Sequence, residues 1–302
     1  LFGEHAVVYG RPALAAPVVQ VVASAVVEGR PAGNGLVIDA LDLRRSIVLA
    51  QADHPLAVVT RLTLDRLGIG EPDWRVSVRS TIPIASGLGS GAAVSAAVVR
   101  GLSQAAGVEL GPAEVSAIVY EVERLHHGTP SGVDNTVIAY GQPVCFVRGT
   151  PPEPFAIARP FTIAIGDTGK ASPTKIAVGD VRAAWERDRA RYEALFDRVA
   201  CVVASARAAI TEGRPEELGP LMDENQALLR EIGVSSPELE RLIAAARAAG
   251  ATGAKLSGGG RGGNMIALVT PESAAAVADA LRAAGAVRVI VTEIGHAGGD
   301  DA

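Results

Sequence analysis

The chain has 302 residues, of which 48% are hydrophobic and 20% charged, and carries a formal net charge of -5. That composition excludes a disordered or collagen-like chain, and the net negative charge offers no overall positive field to a nucleic-acid backbone or an anionic membrane surface. The length exceeds one ordinary hydrophobic core, so two domains are expected.

The first half alternates short β-branched runs (Val18 to Val27, Ser46 to Ala50, Arg75 to Arg79) with helical stretches and reads as α+β. One helix is expected to begin at Ser90, whose hydroxyl can cap the orphan amides, and to run toward Gly107. A second starts at Pro112, carries Glu114 near its positive end and Glu123 near its carboxyl end, and stops at Gly128. Four prolines between Thr150 and Pro160 break regular structure and set an expected domain boundary, giving domains 1–155 and 156–302. Beyond them one long helical region is expected from Thr174 to Glu212, then helices at Pro215 to Ile232 and Pro237 to Ala249. The strands "AKLSG" and "NMIALV" flank a glycine turn. A helix at Pro271 to Ala284 and a last strand "VRVIVTEI" complete a second α+β layer with helices on one sheet face.

Cys145 and Cys201 have no CxxC spacing and no His/Cys cluster to hold zinc, which fits a reducing, cytoplasmic setting. Every apolar stretch is interrupted well short of the roughly 20 residues a membrane span needs. No GxxxxGK[ST] string occurs, so a P-loop is not supported. Gly258, Gly260 and Gly263 do fit GxGxxG, but a strand follows them where a dinucleotide fold requires a helix.

Chemistry concentrates in a few segments. In "PIASGLGSGAAVSAA", Pro83 to Ala97, Gly87, Gly89 and Gly91 lead into a helix. Their backbone can approach an anion without a Cβ clash, and the helix dipole favours negative charge there. A plain glycine-rich turn before a core helix is the alternative. "HHGTPSGVDNTVIAYG", His126 to Gly141, follows the helix bearing Glu123. Phosphoryl transfer to an alcohol uses a carboxylate near the hydroxyl and oxygen ligands for a metal on the phosphates, which Asp134 and Glu123 can supply. Spacing alone also allows Asp134 as an Asx-turn residue and Glu123 as a solvated helix residue. His126 and His127 read as capping or packing residues, since no third ligand supports a metal site.

Taken in order, "LFGEHAVVYGRPALAAPV", "PIASGLGSGAAVSAA" and "AKLSGGGRGGNMIALV" resemble the three motifs of the GHMP kinase family. "GEHAVVYG", "GTPSGVDNTV" and "MDENQALLREIGVSSPELERL" resemble the mevalonate kinases within it, so the resemblance covers nearly the whole chain. It implies an amino-terminal domain like the second domain of ribosomal protein S5 and a ferredoxin-like carboxyl-terminal domain. It further implies ATP as phosphate donor, Mg2+ as cofactor and mevalonate as the small-molecule substrate, phosphorylated on its C5 hydroxyl. Neither nucleic acid nor membrane is an implied partner, and a homodimer is one option for the oligomeric state.

Carried over by residue, Asp134 becomes the catalytic base. Pro83, Ala85, Ser86, Gly87, Leu88, Gly89, Ser90, Gly91 and Ala92 bind the nucleotide, and Glu123 with Ser90 holds the metal. Glu4, His5, Thr174, Ser257, Gly258 and Gly259 line the substrate, with Lys255 and Gly260 in the same floor-forming motif. Three departures follow from the motifs: the family lysine would precede Leu1, Gly91 stands where a second serine is usual, and Arg261 interrupts the glycine run. A related phosphotransferase or decarboxylase of the same pathway and a non-catalytic metabolite-binding relative are the competing readings.

Overall fold

The computed structural model describes residues 1–49, 54–82, 89–127, 130–170 and 174–295, with backbone alone for His126 and His127. In chain order the elements begin with a 3-10 turn at Ala6–Tyr9, then β1 (Ala13–Ala15), β2 (Ala23–Gly29), β3 (Val37–Ala40), β4 (Arg45–Val48), α1 (Pro55–Leu67) and β5 (Trp74–Ser80). The helices α2 (Ser90–Ala105), α3 (Pro112–His127) and α4 (Val133–Tyr140) follow, then β6 (Val144–Phe146), β7 (Glu153–Pro154) and β8 (Phe161–Asp167). The remainder is α5 (Thr174–Arg187), α6 (Arg189–Thr211), α7 (Leu218–Ile232), α8 (Pro237–Ala248), β9 (Gly253–Ser257), β10 (Asn264–Val269), α9 (Ala274–Ala283) and β11 (Arg288–Ile294).

These elements form two compact units, and the division is not the linear one at residue 155/156. Leu1–Gln20 groups with the chain from Gln142 onward, while most of Val21 to Gly141 forms the other unit. The reason lies in side chains that proline spacing does not reveal. Phe2 and Leu14 are buried in one core with Phe196, Leu218 and Met265. Tyr9 stacks on Phe196 at 4.2 Å, and Arg11 donates to Asp197 on α6 at 3.0 Å.

The Val21 to Gly141 unit holds a sheet of order β2-β5-β3-β4, with β3 parallel to β5 and the other pairs antiparallel. Its core joins Ile38, Ile47, Val76 and Val78 of the sheet to Val59, Val98, Val99, Leu102 and Val119 of the helices. In α2 the buried positions Ala92, Ser95, Ala96, Val99, Leu102 and Ser103 recur at helical spacing, which places one stripe against the sheet. Ser90 starts this helix but does not cap it. Gly89 occupies the cap in a left-handed conformation, with no side-chain capping bond.

The other unit contains an antiparallel sheet of order β11-β8-β10-β9 and a smaller one of order β1-β6-β7. Helices on one face were expected, yet every residue of β10 is buried, so Met265 and Ala267 on one side and Ile266 and Leu268 on the other are all covered. α7 lies along the open edge of β9, where Asp223 Oδ1 accepts from the Ala254 amide at 3.0 Å and Gln226 Oε1 from the Leu256 amide at 2.9 Å. Both side chains satisfy edge donors that would otherwise invite another strand. The long helical region expected from Thr174 to Glu212 consists of two helices, α5 and α6. Asp188 leaves helical geometry at φ -141 and accepts from the Arg191 amide, capping α6.

Candidate active site

In the Val21 to Gly141 unit the amino ends of α2 and α4 come together. Gly89 has φ 67, and a Cβ there would lie 3.1 Å from Ile138 Cδ1 and 3.6 Å from Asp134 Cγ. The left-handed dihedral favours glycine here, and a Cβ would also press on the neighbouring helix. The first amides of α2 and its positive dipole end thus face the same small region as the Asp134 carboxylate. Among the expected nucleotide-binding positions, Ser90 and Gly91 lie in this first turn. Ala92, in the same turn, is buried. Pro83, Ala85, Ser86, Gly87 and Leu88 lie outside the described residues, as do the side chains of His126 and His127 and the residue Gly128.

Asp134 is not an Asx-turn residue. It occupies the first turn of α4, which begins after Gly132 at φ 91. Three contacts fix that helix: Asn135 Nδ2 donates to Ser116 Oγ of α3 at 2.9 Å, Thr136 Oγ1 donates to the Gly132 carbonyl at 2.6 Å, and Arg100 of α2 donates to the Ala139 carbonyl at 2.8 Å. The Asp134 side chain is exposed, with its Cγ beside the Gly89 backbone. Desolvation is the largest influence on its carboxyl and pushes it up from the ordinary value, the direction that suits a proton acceptor.

Glu123 stands near the carboxyl end of α3, where a Cβ on Gly91 would lie 3.3 Å from its Oε1. The absent side chain at Gly91 leaves room for an oxygen of Glu123 to face the start of α2. Among the described residues no group of three or more His, Cys, Asp or Glu side chains assembles a metal site. One carboxylate and one hydroxyl still fit magnesium, a hard cation that takes its remaining ligands from phosphates and water.

The other unit gathers the residues expected to touch substrate. His5 is buried, adopts φ 61, and its Nε2 lies 3.0 Å from the Gly259 carbonyl. A carbonyl only accepts, so Nε2 carries the proton in this bond. Burial lowers the His5 pKa below its ordinary value, which keeps the ring neutral and leaves Nδ1 as an acceptor. Glu4 is paired with the fully buried Lys255. Gly259 packs under Thr174, whose Oγ1 would be 2.7 Å from any Cβ placed there. Ser257 ends β9, and Gly258 begins the turn to β10 at φ 84.

Gly260 has φ 70 and would drive a Cβ to 2.2 Å from the Val234 carbonyl oxygen. Arg261, also left-handed at φ 57, donates its amide to that same carbonyl at 2.8 Å and pairs its guanidinium with Asp180 of α5. The pairing of Glu4 with Lys255 was not legible in the sequence, because the partners are 251 positions apart. The anchoring of α4 by Arg100 and Asn135 left no local signal either.

Over 96% of its length this chain is 34% identical to 91% of the mevalonate kinase of Pyrococcus horikoshii. The chain belongs to the GHMP kinases. The sequence pattern of the GHMP kinase N-terminal domain matches residues 54–142, which include Ser90, Glu123 and Asp134, and that of the C-terminal domain matches residues 206–287, which include the Ser257 to Gly260 turn. The mevalonate kinase of Thermococcus gammatolerans is 35% identical, with 99% of this chain and 94% of the relative covered. The crystal structure of L. major mevalonate kinase in complex with R-mevalonate is similar at 30% identity and a TM-score of 0.85, covering 97% of this chain and 92% of that one. Within the GHMP kinases the chain stands with the mevalonate kinases, and it is an α+β phosphotransferase with an alcohol acceptor.

Proposed function

We propose that this GHMP kinase transfers the terminal phosphoryl group of ATP to the C5 hydroxyl of mevalonate, giving 5-phosphomevalonate and ADP. The observation that carries the chemistry is the Asp134 carboxylate beside the amino end of α2, at Gly89. The acceptor is inferred from relatives named mevalonate kinase at 34% and 35% identity.

In this reading Asp134 accepts the proton of the C5 hydroxyl as the oxygen bonds to phosphorus. The bond between that phosphorus and the bridging oxygen of ADP breaks in the same displacement. The backbone at Gly89, Ser90 and Gly91 holds phosphate oxygens. Glu123 and the Ser90 hydroxyl would hold Mg2+, which when bound neutralises charge on the transferring phosphates. His5 Nδ1 accepts from a mevalonate hydroxyl. Glu4, Thr174, Ser257, Gly258 and Gly259 shape the surface on which that alcohol rests.

The test is direct. Purified protein with ATP, Mg2+ and mevalonate yields 5-phosphomevalonate, identified by 31P NMR; turnover of another alcohol only, or release of carbon dioxide from a phosphorylated mevalonate, overturns the assignment. Replacing Asp134 by Asn lowers kcat by on the order of 10² to 10⁴, the usual contribution of general base catalysis. An unchanged kcat removes Asp134 from the mechanism.

A further inference from the structure

The amino-terminal segment reaches His5 in a backbone conformation that non-glycine residues rarely hold, φ 61 and ψ -47. Nothing in "GEHAVVYG" by itself selects it. Upstream, Phe2 exchanges backbone hydrogen bonds with Leu14, at 3.3 and 2.9 Å, and Gly3 at φ 96 lies so close to β1 that a Cβ would fall 2.5 Å from Ala13 Cα. Downstream, the 3-10 turn begins at once, with the Ala6 amide donating to the Glu4 carbonyl at 2.7 Å. Glu4 and His5 are thus the short bridge between two fixed backbones.

Both residues of this bridge are tied to one hairpin. Glu4 pairs with Lys255 of β9, and His5 bonds the Gly259 carbonyl in the turn that leaves the same strand. Lys255 is wholly buried, and its ammonium also donates to the Leu256 carbonyl at 2.7 Å and lies 5.7 Å from the centre of the Phe2 ring. Glu4 keeps only 10% of its side-chain surface, and its second oxygen, Oε2, has no protein partner. A buried carboxylate held through one oxygen depends heavily on that one cation, because loss of either partner strands a charge away from water.

We propose that Lys255 is a positioning residue for the phosphoryl acceptor: by holding Glu4 it fixes the backbone at His5 and so aims the His5 ring at the alcohol. The inference rests on the substrate role given to His5 above. Lys255 touches no reacting atom in this account. It acts through Glu4, and the third glycine segment thereby orders the first. Burial pulls the Lys255 pKa down while Glu4 opposes that shift, consistent with a cation whose charge depends on its partner.

The experiment compares Lys255→Met with Lys255→Arg, which keeps a cation within reach of Glu4. In the ligand-free wild type, the 15N shifts of the His5 ring, one of five histidines, report a single neutral Nε2–H tautomer. Lys255→Met averages those shifts. It raises the KM for mevalonate about tenfold, the size of one lost oriented contact, while the KM for ATP holds and kcat changes less than about threefold. Lys255→Arg recovers both the ring signals and the KM toward wild type. Should Lys255→Met fail to fold, Lys255→Gln, which retains a neutral donor, replaces it in the comparison.

Wild-type ring signals and wild-type KM in the Met variant overturn the proposal. So does a loss of kcat with both KM values unchanged, which is what a merely structural role gives. The ring signals are read without substrate, so absence of mevalonate turnover by the wild type sinks the substrate assignment alone.

Discussion

At the scale of single residues the site depends on where a side chain is absent as much as on where one is present. Gly89 permits α2 and α4 to meet, and Gly260 permits the turn after β9 to press on the Val234 carbonyl. Gly260→Ala adds a strained left-handed dihedral to a backbone collision, and is expected to cost about 2 to 4 kcal/mol, read as a lowered urea midpoint. Asp134 has a complementary signature in catalysis. Desolvation raises its pKa in the free enzyme, so the acid limb of the kcat/KM profile lies above the ordinary carboxylate value of 3.8 and moves when Asp134 is replaced. A limb at or below that value would remove the desolvated carboxylate from the rate-limiting proton transfer.

Among elements, the loop between α7 and α8 illustrates how a remote network supports the glycine turn. Glu240 of α8 accepts from Arg230 and Gln226 of α7 and from Ser235 between them, at 2.7, 2.8 and 2.6 Å. Val234, in the same loop, supplies the carbonyl that receives the Arg261 amide. Burial alone would raise the Glu240 pKa, but the hydrogen bonds from Arg230, Ser235 and Gln226 outweigh it and hold it at about 2. A folded pKa below the unfolded value of 4.5 gives stability that is present above pH 4.5 and is lost as the pH falls toward 2. Glu240→Gln is expected to lower stability at pH 7 and to flatten the acid decline between pH 4.5 and 2, measured by urea denaturation at each pH. An unaltered acid decline would show that other carboxylates govern it.

At the scale of the whole molecule, each of the two units has its own core, and the first residues of the chain belong to the core of the later ones. Phe2 is 2% exposed among side chains from β8, α6 and β10. Phe2→Ala is expected to cost about 3 to 5 kcal/mol, the range for a buried aromatic truncated to alanine. Hydrogen exchange checks where that cost falls: protection is lost chiefly in β8 and β10, not in β2 and β5. Equal loss in both pairs of strands would contradict the division. Among the described residues no helix is long and apolar enough to cross a membrane.

The sequence by itself determined the α+β class, the starts of α2 and α3, and the strands around the last glycine turn. Each of these is written in local periodicity or in a residue, such as Pro112, whose shape suits the end of an element. Asp134 was legible as a candidate chiefly through the "PSGVDN" resemblance, since spacing alone also allowed a turn. Only the tertiary structure decided that Asp134 lies in the first turn of a helix beside Gly89, that Glu4 meets Lys255 across 251 positions, and that Leu1–Gln20 packs with the carboxyl-terminal half. These are long-range pairings, chosen by which buried surfaces and charges complement one another once the chain has collapsed, and no window of neighbouring residues contains both partners.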